Sequence, residues 1–483
     1  MTIDTAAQIT PRTPQRVTLY EAQPKIHPQS VKGKFRTIKW AIMAVALGIY
    51  YVLPFLRWDR GPHEPSQAVL LDLANGRFYF FFIEIWPQEV YYVMGLLILA
   101  ALALFLSNAV AGRLWCGYFC PQTVWTDLFV RVEQLIEADR RERMKLEHMP
   151  WTVRKLANKL LKHWIWLMIA WWTGGAWVLY FADAPTLVKD LATFRAPTVA
   201  YAWIGILTAT TYALAGFMRE QVCTYMCPWP RIQAALTDEH ALQVTYRYDR
   251  GEPRGPLKRM AERARTGLPA GDCIDCGQCA AACPAGIDIR DGLQMACIQC
   301  GLCADACDTV MARIGKPAGL IAYDTEENVK RRLQGKDDVY RIVRPRTILY
   351  AALIALVGGI MLYALATRSF AGLSVIHDRN PIHVTLSDGS VRNGYTVRVL
   401  NKRPFERSFA LGVEGLDARV EAVGADSAVK PVVTIGPDTT REIRVLVFAP
   451  AGSRLEKSTP VTFRITDVTM GEVATAKDWF KAP

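Results

Sequence analysis

No glycine-rich nucleotide fingerprint is present: neither a P-loop nor a Rossmann glycine pattern stands behind a strand-like segment. The first 39 residues lack an apolar core; they are polar and rich in Thr, Gln, Pro, Lys and Arg. No signal peptide is expected there, and much of the segment should lack fixed structure. Beyond Cys307 there is no cysteine, so that part must hold by packing alone. Acidic residues are in deficit, 45 Asp and Glu against 57 Lys and Arg, a net charge of +12. Nucleic-acid binding is one reading of that balance; a membrane protein with basic loops is the other, and the distribution of charge favours it. Nor does any of the twelve cysteines stand alone. Clustering into motifs argues against a disulfide scaffold and for metal in a reducing compartment.

What is present in quantity is apolar sequence, 51% of the residues, gathered into long blocks. Five runs reach the roughly 20 residues needed to cross a bilayer: about 40–56, 90–110, 163–181, 197–218 and 347–366. The aromatic stretch 78–86 is too short to span and reads as an interfacial lead into the second run. Basic residues crowd the segment before the first run, the loop 113–162 and the region 219–346, whereas the loops after the first and third runs hold few. The bias puts the N-terminus and the region 219–346 in the cytoplasm and the tail 367–483 outside.

Eight cysteines form two runs of C-x2-C-x2-C-x3-C: Cys273, Cys276, Cys279, Cys283, then Cys297, Cys300, Cys303, Cys307. This is the spacing that holds a pair of 4Fe-4S clusters, the fourth cysteine of each run serving the other cluster. One cluster is thus assigned Cys273, Cys276, Cys279 and Cys307, the other Cys297, Cys300, Cys303 and Cys283. Pro284 follows the first run as the signature expects; Asp308 replaces proline after the second. Paired zinc knuckles are the competing reading, disfavoured by the doubled x3 spacing. A ferredoxin-like insert over about 265–315 follows.

The remaining four cysteines form two copies of C-x-Y-x-C-P, Cys116 with Cys120 and Cys223 with Cys227, each after an apolar run. Residues four apart share a helix face, and Pro121 and Pro228 can bend or end that helix. If the two copies meet, four thiols converge. Soft thiolates select Cu(I), zinc or iron–sulfur. A copper-binding or copper-reducing site is the first reading. A redox dithiol, a third cluster and plain buried cysteine are the others. Met226 adds a thioether beside the second pair.

After Pro121, Val124, Trp125, Leu128, Phe129, Val132, Leu135 and Ile136 recur at helical period, giving an amphipathic helix with a charged opposite face. The basic run 140–145 reads as a solvated, lipid-facing stretch. From about residue 372 the pattern alternates: Tyr395, Val397, Val399; Ile443, Val445, Val447; Val461, Phe463, Ile465. Turn signals at Asp388-Gly389, Asn393-Gly394 and Gly436-Pro437 separate the strands. An immunoglobulin-like β-sandwich fits. His377 and His383 near its start read as structural or solvated.

The order of these parts is more specific than any one of them: a basic N-terminal segment (1–39), four spans (40–218), the cluster-bearing region (219–346), a fifth span (347–366) and a β-rich tail (367–483). It resembles, over nearly the whole chain, the cytochrome c oxidase accessory proteins of the CcoG family, also called FixG or RdxA. The resemblance implies an α-helical protein of the bacterial inner membrane with a periplasmic sandwich domain. It implies reduction of Cu(II) to Cu(I) during assembly of the cbb3-type cytochrome c oxidase, with Cys116, Cys120, Cys223 and Cys227 handling copper. The eight ferredoxin cysteines would carry the electrons. Implied partners are the membrane, that oxidase or its copper-assembly factors, and an electron donor that the sequence does not name. With no nucleotide fingerprint in the chain, that donor is expected to be a separate protein or a quinol. Nucleic acid is not expected, and a homo-oligomer is compatible. Two further readings stand beside it: a quinol-linked electron carrier, with Glu84 and Glu89 as proton acceptors, and a non-catalytic assembly scaffold.

Overall fold

The structure, a computed structural model, describes residues 25–62, 64–423, 431–453 and 456–483. Disorder is expected over much of 1–39; residues 1–24 lie outside the described residues, whereas 25–39 is ordered, with His27 buried and a helix starting at Lys34. Two compact units are formed, one from Met1–Ala46, Phe105–Trp171 and Leu207–Thr347, the other from Leu47–Leu104, Trp172–Ile206 and Ile348–Pro483.

Among the described residues, four helical segments are long and apolar enough to cross a membrane: Lys34–Phe55, Pro87–Ala111, Thr198–Met218 and Pro345–Ala366. They account for four of the five expected runs. The remaining run lies in the helix Val153–Val178, 26 residues long. Its first part carries Arg154, Lys155, Lys159 and Lys162, and its apolar part leans on tryptophan and glycine. Indole rings favour the interface over the bilayer centre, so length and composition alone do not make this helix a span.

In the first unit, two short strands, Gln243–Tyr246 and Ile321–Asp324, pair antiparallel. They frame the helices Gln278–Ala282 and Leu302–Arg313. Val244, Ala304, Met311, Leu320 and Ile321 pack with the cysteines into one core. The two cysteine loops repeat each other's backbone. Asp275 and Gly277 in the first, and Gln299 and Gly301 in the second, take positive φ of 56°, 65°, 54° and 75°. The glycines start the two helices from the left-handed region, where a side chain is strained. The segment leading into the first span lies along this insert: the Gln29 amide donates to the Ala281 carbonyl at 2.9 Å. Asp305 accepts the amides of Phe35 and Arg36 at 3.1 and 2.7 Å, an N-terminal cap supplied from the insert.

The helix expected after Pro121 is Pro121–Glu137. Val124, Phe129 and Val132 are buried as the period predicts, but Leu135 is exposed, and Asp127, Glu133 and Glu137 are buried. The charged face is therefore not solvated. Glu133 is held by Arg143 at 3.1 Å, Lys162 at 3.4 Å and Arg219 at 2.9 Å, and Glu137 by Lys159 and Lys162, each at 2.9 Å. The solvated reading of 140–145 holds for Arg141, Glu142, Met144 and Lys145, which are exposed, but not for Arg143. Arg143 is 1% exposed and also donates to the Pro28 carbonyl, while Arg140 donates to the His27 carbonyl at 2.8 Å. Buried carboxylates recruit these cations because an unpaired buried charge is costly.

In the second unit, the stretch 78–86 is not a simple interfacial lead. Arg77–Phe80 and Ile83–Ile85 are strands of a three-stranded antiparallel sheet with Val69–Asp72. Glu89 heads the span that follows and pairs with Lys402 at 2.6 Å. The tail is a sandwich of two antiparallel sheets. In one, Arg419–Ala422, Thr439–Ala449, Val391–Asn401 and Ala371–His377 lie side by side; in the other, Val432–Ile435, Arg407–Glu414, Ser458–Asp467 and Val473–Lys481. All nine residues of the three predicted inward triplets, from Tyr395 to Ile465, are buried. Gly389 and Gly436 mark turns, but Asn393-Gly394 lies inside the strand Val391–Asn401. Asn393 there accepts the Lys481 amide at 3.0 Å and donates to the Lys481 carbonyl at 2.8 Å, so its side chain joins the two sheets. His377 meets Asn393 at 2.7 Å and stacks edge-on against Tyr395, a structural role.

Candidate electron-transfer centre

Each C-x-Y-x-C-P motif closes a single wide turn. The Cys120 amide donates to the Trp115 carbonyl at 2.9 Å and the Cys227 amide to the Val222 carbonyl at 2.8 Å. These five-residue loops, Trp115–Phe119 and Val222–Met226, are π-helical, a geometry that recurs at functional sites. Proline follows each: Pro121 opens the next helix, and Pro228 caps Trp229–Leu236.

The two turns bring their thiols together. Cys116 is pushed up to about 12 by burial and then by the neighbouring Cys120, Cys223 and Cys227. Cys223 rises to about 11 by burial and by Cys120 and Cys227. Convergence of the four, conditional in the sequence, is met. The Cys116 thiol donates to Gln233 Oε1 at 3.2 Å.

The ferredoxin cysteines group in crossed fashion. Cys307 is pushed up to about 12 by burial and by Cys279, Asp308, Cys273 and Cys276; Cys283 reaches about 12 by burial, with Cys300 the first thiol to act on it. A cavity is walled by Cys283, Cys297, Cys300 and Cys303 with Val244 and Ile289. Four thiol donors around a void backed by apolar side chains fit a 4Fe-4S cluster. Among the described residues, no three cysteine sulfurs lie within 4.8 Å of one another. A tetrahedral zinc ion, bonded at about 2.3 Å, draws its thiolates to roughly 3.8 Å. No three of the described cysteine sulfurs stand at the spacing a zinc ion would impose. Loading must expel protons, because burial raises the thiols of Cys279, Cys283, Cys297, Cys303 and Cys307 above the ordinary cysteine range.

The first motif is built onto the second cysteine loop. The Tyr118 hydroxyl donates to the Cys300 carbonyl at 3.0 Å, and Tyr323 donates to the Gln299 carbonyl and meets Tyr118 at 3.3 Å. The Arg113 amide donates to Gln299 Oε1 at 2.7 Å, and its guanidinium to the carbonyls of Cys297 at 3.1 Å and Pro230 at 3.0 Å. The second motif is free of such packing: Tyr225 and Met226 are 67% and 57% exposed. The motifs repeat in sequence and differ in setting. Arg113, Gln233, Gln299 and Tyr323 carry no spacing signal and were not legible as site residues. Glu84 and Glu89 lie in the other unit and are not part of this centre.

Two cysteine runs of 4Fe-4S spacing beside four further thiols, on a chain with apolar helices of spanning length, define a membrane iron–sulfur electron-transfer protein. The chain matches the family described as "4Fe-4S dicluster domain" over residues 218–326, "4Fe-4S binding domain" over 93–138, and the IG-like fold at the C-terminal of FixG over 361–483. It is 50% identical to the nitrogen fixation protein FixG of Rhizobium meliloti over 90% of this chain and 88% of that one. To proteins RdxB and RdxA of Cereibacter sphaeroides it is 49% and 50% identical, over 95% and 93% of this chain and 96% and 93% of theirs. The chain belongs to the FixG/RdxA family.

Proposed function

We propose that this protein is a cupric reductase that passes single electrons to Cu(II) at Cys116, Cys120, Cys223 and Cys227 and releases Cu(I) for assembly of a cbb3-type cytochrome c oxidase. The observation that carries this reading is the contact of Gly117 and Tyr118, between the first thiol pair, with the Cys300 loop. The clusters, when bound by their eight cysteines, supply one-electron chemistry. The chain's own residues do the rest. The thiol quartet presents soft donors that favour Cu(I) over Cu(II). Gln233 takes the hydrogen bond of the Cys116 thiol, and Arg113 fixes the first motif against the Cys297 and Pro230 carbonyls. Electrons balance as one per copper.

In this reading the protein sits in the bacterial inner membrane with five spans, the cluster insert cytoplasmic and the sandwich periplasmic, where its outward sheets meet the oxidase or its copper-assembly factors. The lysine- and arginine-rich segments at 113–162 and 219–346 support that orientation. Anaerobic protein is mixed with Cu(II) and a Cu(I)-specific chelator. The variant Cys116→Ser with Cys120→Ser should retain eight-cysteine cluster iron and lose Cu(I) formation; unchanged Cu(I) formation overturns the assignment.

A second reading, a third cluster on the quartet, is favoured by the 4Fe-4S match over 93–138, which contains Cys116 and Cys120. Iron and acid-labile sulfide decide between them. A fall of about four iron atoms per chain in the same variant assigns the quartet to a cluster.

A further inference from the structure

A half-open cavity of about 430 Å3 lies in the first unit, between the segment leading into the first span and the helix Pro121–Glu137. No role in the centre described above uses it. Its walls include Trp40, Gln122, Thr126, Cys223, Pro284 and Ile298. Three of these placements bear on what it holds. Cys223 belongs to the thiol quartet, while Pro284 adjoins Cys283 and Ile298 lies between Cys297 and Cys300. One occupant would therefore touch the surroundings of both sulfur sites.

The size is that of a small-molecule site. Charge narrows the class. Five cationic side chains line the cavity against two carboxylates, Asp127 and Glu220. Asp127 is already engaged by Arg36 at 2.9 Å and Lys39 at 3.8 Å. A neutral or weakly acidic molecule with oxygen acceptors suits such a lining. Arg36 lies 4.4 Å over the Trp40 ring, leaving a flat, cation-backed wall suited to a planar head. Gln122 is held in place by the carbonyls of Leu214 and Arg219 at 2.9 and 3.1 Å. Position narrows it again. Arg36 and Trp40 are in the opening turns of one spanning segment, and Arg219 and Cys223 directly follow another, so a molecule dissolved in lipid reaches the cavity at a membrane face.

We propose that this cavity binds the head of a membrane quinol, the electron donor of the chain, an inference that rests on the electron-transfer reading above. Oxidation of the quinol to the quinone releases two electrons and two protons. The electrons match two one-electron clusters, and the protons leave to water at the open side.

The test uses the full-length protein in phosphatidylcholine vesicles and an azido-substituted short-chain ubiquinone as photolabel. Label is expected in peptides covering 28–40 and 122–134, displaced by unlabelled ubiquinone. Thr126→Trp, which fills the cavity, should lower that labelling by about tenfold, with iron and sulfide content retained as the sign of an intact fold. Should that variant lose iron, Gln134→Phe from the same helix replaces it. Labelling confined to other peptides, or unchanged in a folded cavity-filling variant, overturns the proposal. So does displacement by cardiolipin but not by ubiquinone, which assigns the cavity to a lipid. Cu(II) reduction by protein whose clusters were reduced with dithionite and then freed of excess reductant is measured separately: its absence with labelling intact removes copper as the acceptor and leaves the donor site standing.

Discussion

Gly117 abuts Cys300. A β-carbon at Gly117 would lie 3.3 Å from the Cys300 Cα, 3.1 Å from the Gln299 carbonyl oxygen and 2.9 Å from that of Ile298. All three are backbone atoms of the second cysteine loop, so none can rotate aside. Gly117→Ala must push the first thiol turn away from that loop. The expected cost is about 1–3 kcal/mol of stability, read as a lower thermal midpoint, together with slower Cu(I) formation. Thr224, the matching position of the second motif, is half-buried, and its hydroxyl donates to the Glu220 carbonyl at 3.0 Å. Thr224→Ala should change stability by about 0.5 kcal/mol or less. Equal effects at both positions would remove the first motif's special place.

Crossed ligation makes a prediction that single variants alone do not. Cys283→Ser should cost about four iron atoms per chain, taken from the cluster of Cys297, Cys300 and Cys303. Adding Cys300→Ser to it should then change nothing further. Adding Cys276→Ser should remove the surviving ferredoxin cluster and its EPR signal. The opposite pattern would mean that each run holds its own cluster.

These distinctions show where the sequence was legible. Cysteine spacing carried the 4Fe-4S domain, matched over 218–326, because cluster geometry dictates that spacing whatever surrounds it. Alternation carried the sandwich because Tyr395 to Val399 and Val461 to Ile465 face one core at period two. The charged face of Pro121–Glu137 misled, since Glu133 and Glu137 are polar by type and buried by partner. Their cations come from 143, 159, 162 and 219, separations that periodicity does not sense. Asn393-Gly394 misled for a related reason: its turn chemistry serves a link between sheets. The inequality of the two thiol motifs was invisible, because only the fold puts one of them against Cys300.

The Glu133 cluster should govern acid stability. Burial raises the carboxyl's pKa, but Arg219, Lys162 and Arg143 overcome it and hold Glu133 at about 2, against 4.5 when free. A depressed carboxylate stabilises the fold above its free value, and that contribution fades as pH falls from about 4.5 toward 2. Its size is on the order of 3 kcal/mol. Glu133→Gln should leave three cations facing a neutral group and cost about 3–5 kcal/mol at neutral pH, with the deficit shrinking in melts recorded at acid pH. A deficit that grows on acidification would contradict the pairing.

Glu84 should act in the other direction. Its carboxyl is pushed up to about 7 by burial, then by Glu64 and Asp438, with Arg77 opposing. The Arg77 guanidinium is shared, at 3.4 Å from Glu84 and 3.1 Å from Glu64. Because the folded value lies above the free value of 4.5, the folded chain keeps a proton there that the unfolded chain gives up. The group's contribution is complete below about pH 4.5 and is lost as pH rises through about 7. Glu84→Gln presents a neutral side chain at every pH. The difference in thermal midpoint between variant and parent should therefore shift in the variant's favour between pH 5 and pH 8, by up to about 3 kcal/mol in free energy. The cysteine sites lie in the other unit, so iron and sulfide content should not change. A midpoint difference that stays constant across that range, or moves toward the parent as pH rises, would show that Glu84 is charged in the folded protein and that Arg77 outweighs both its burial and its acidic neighbours.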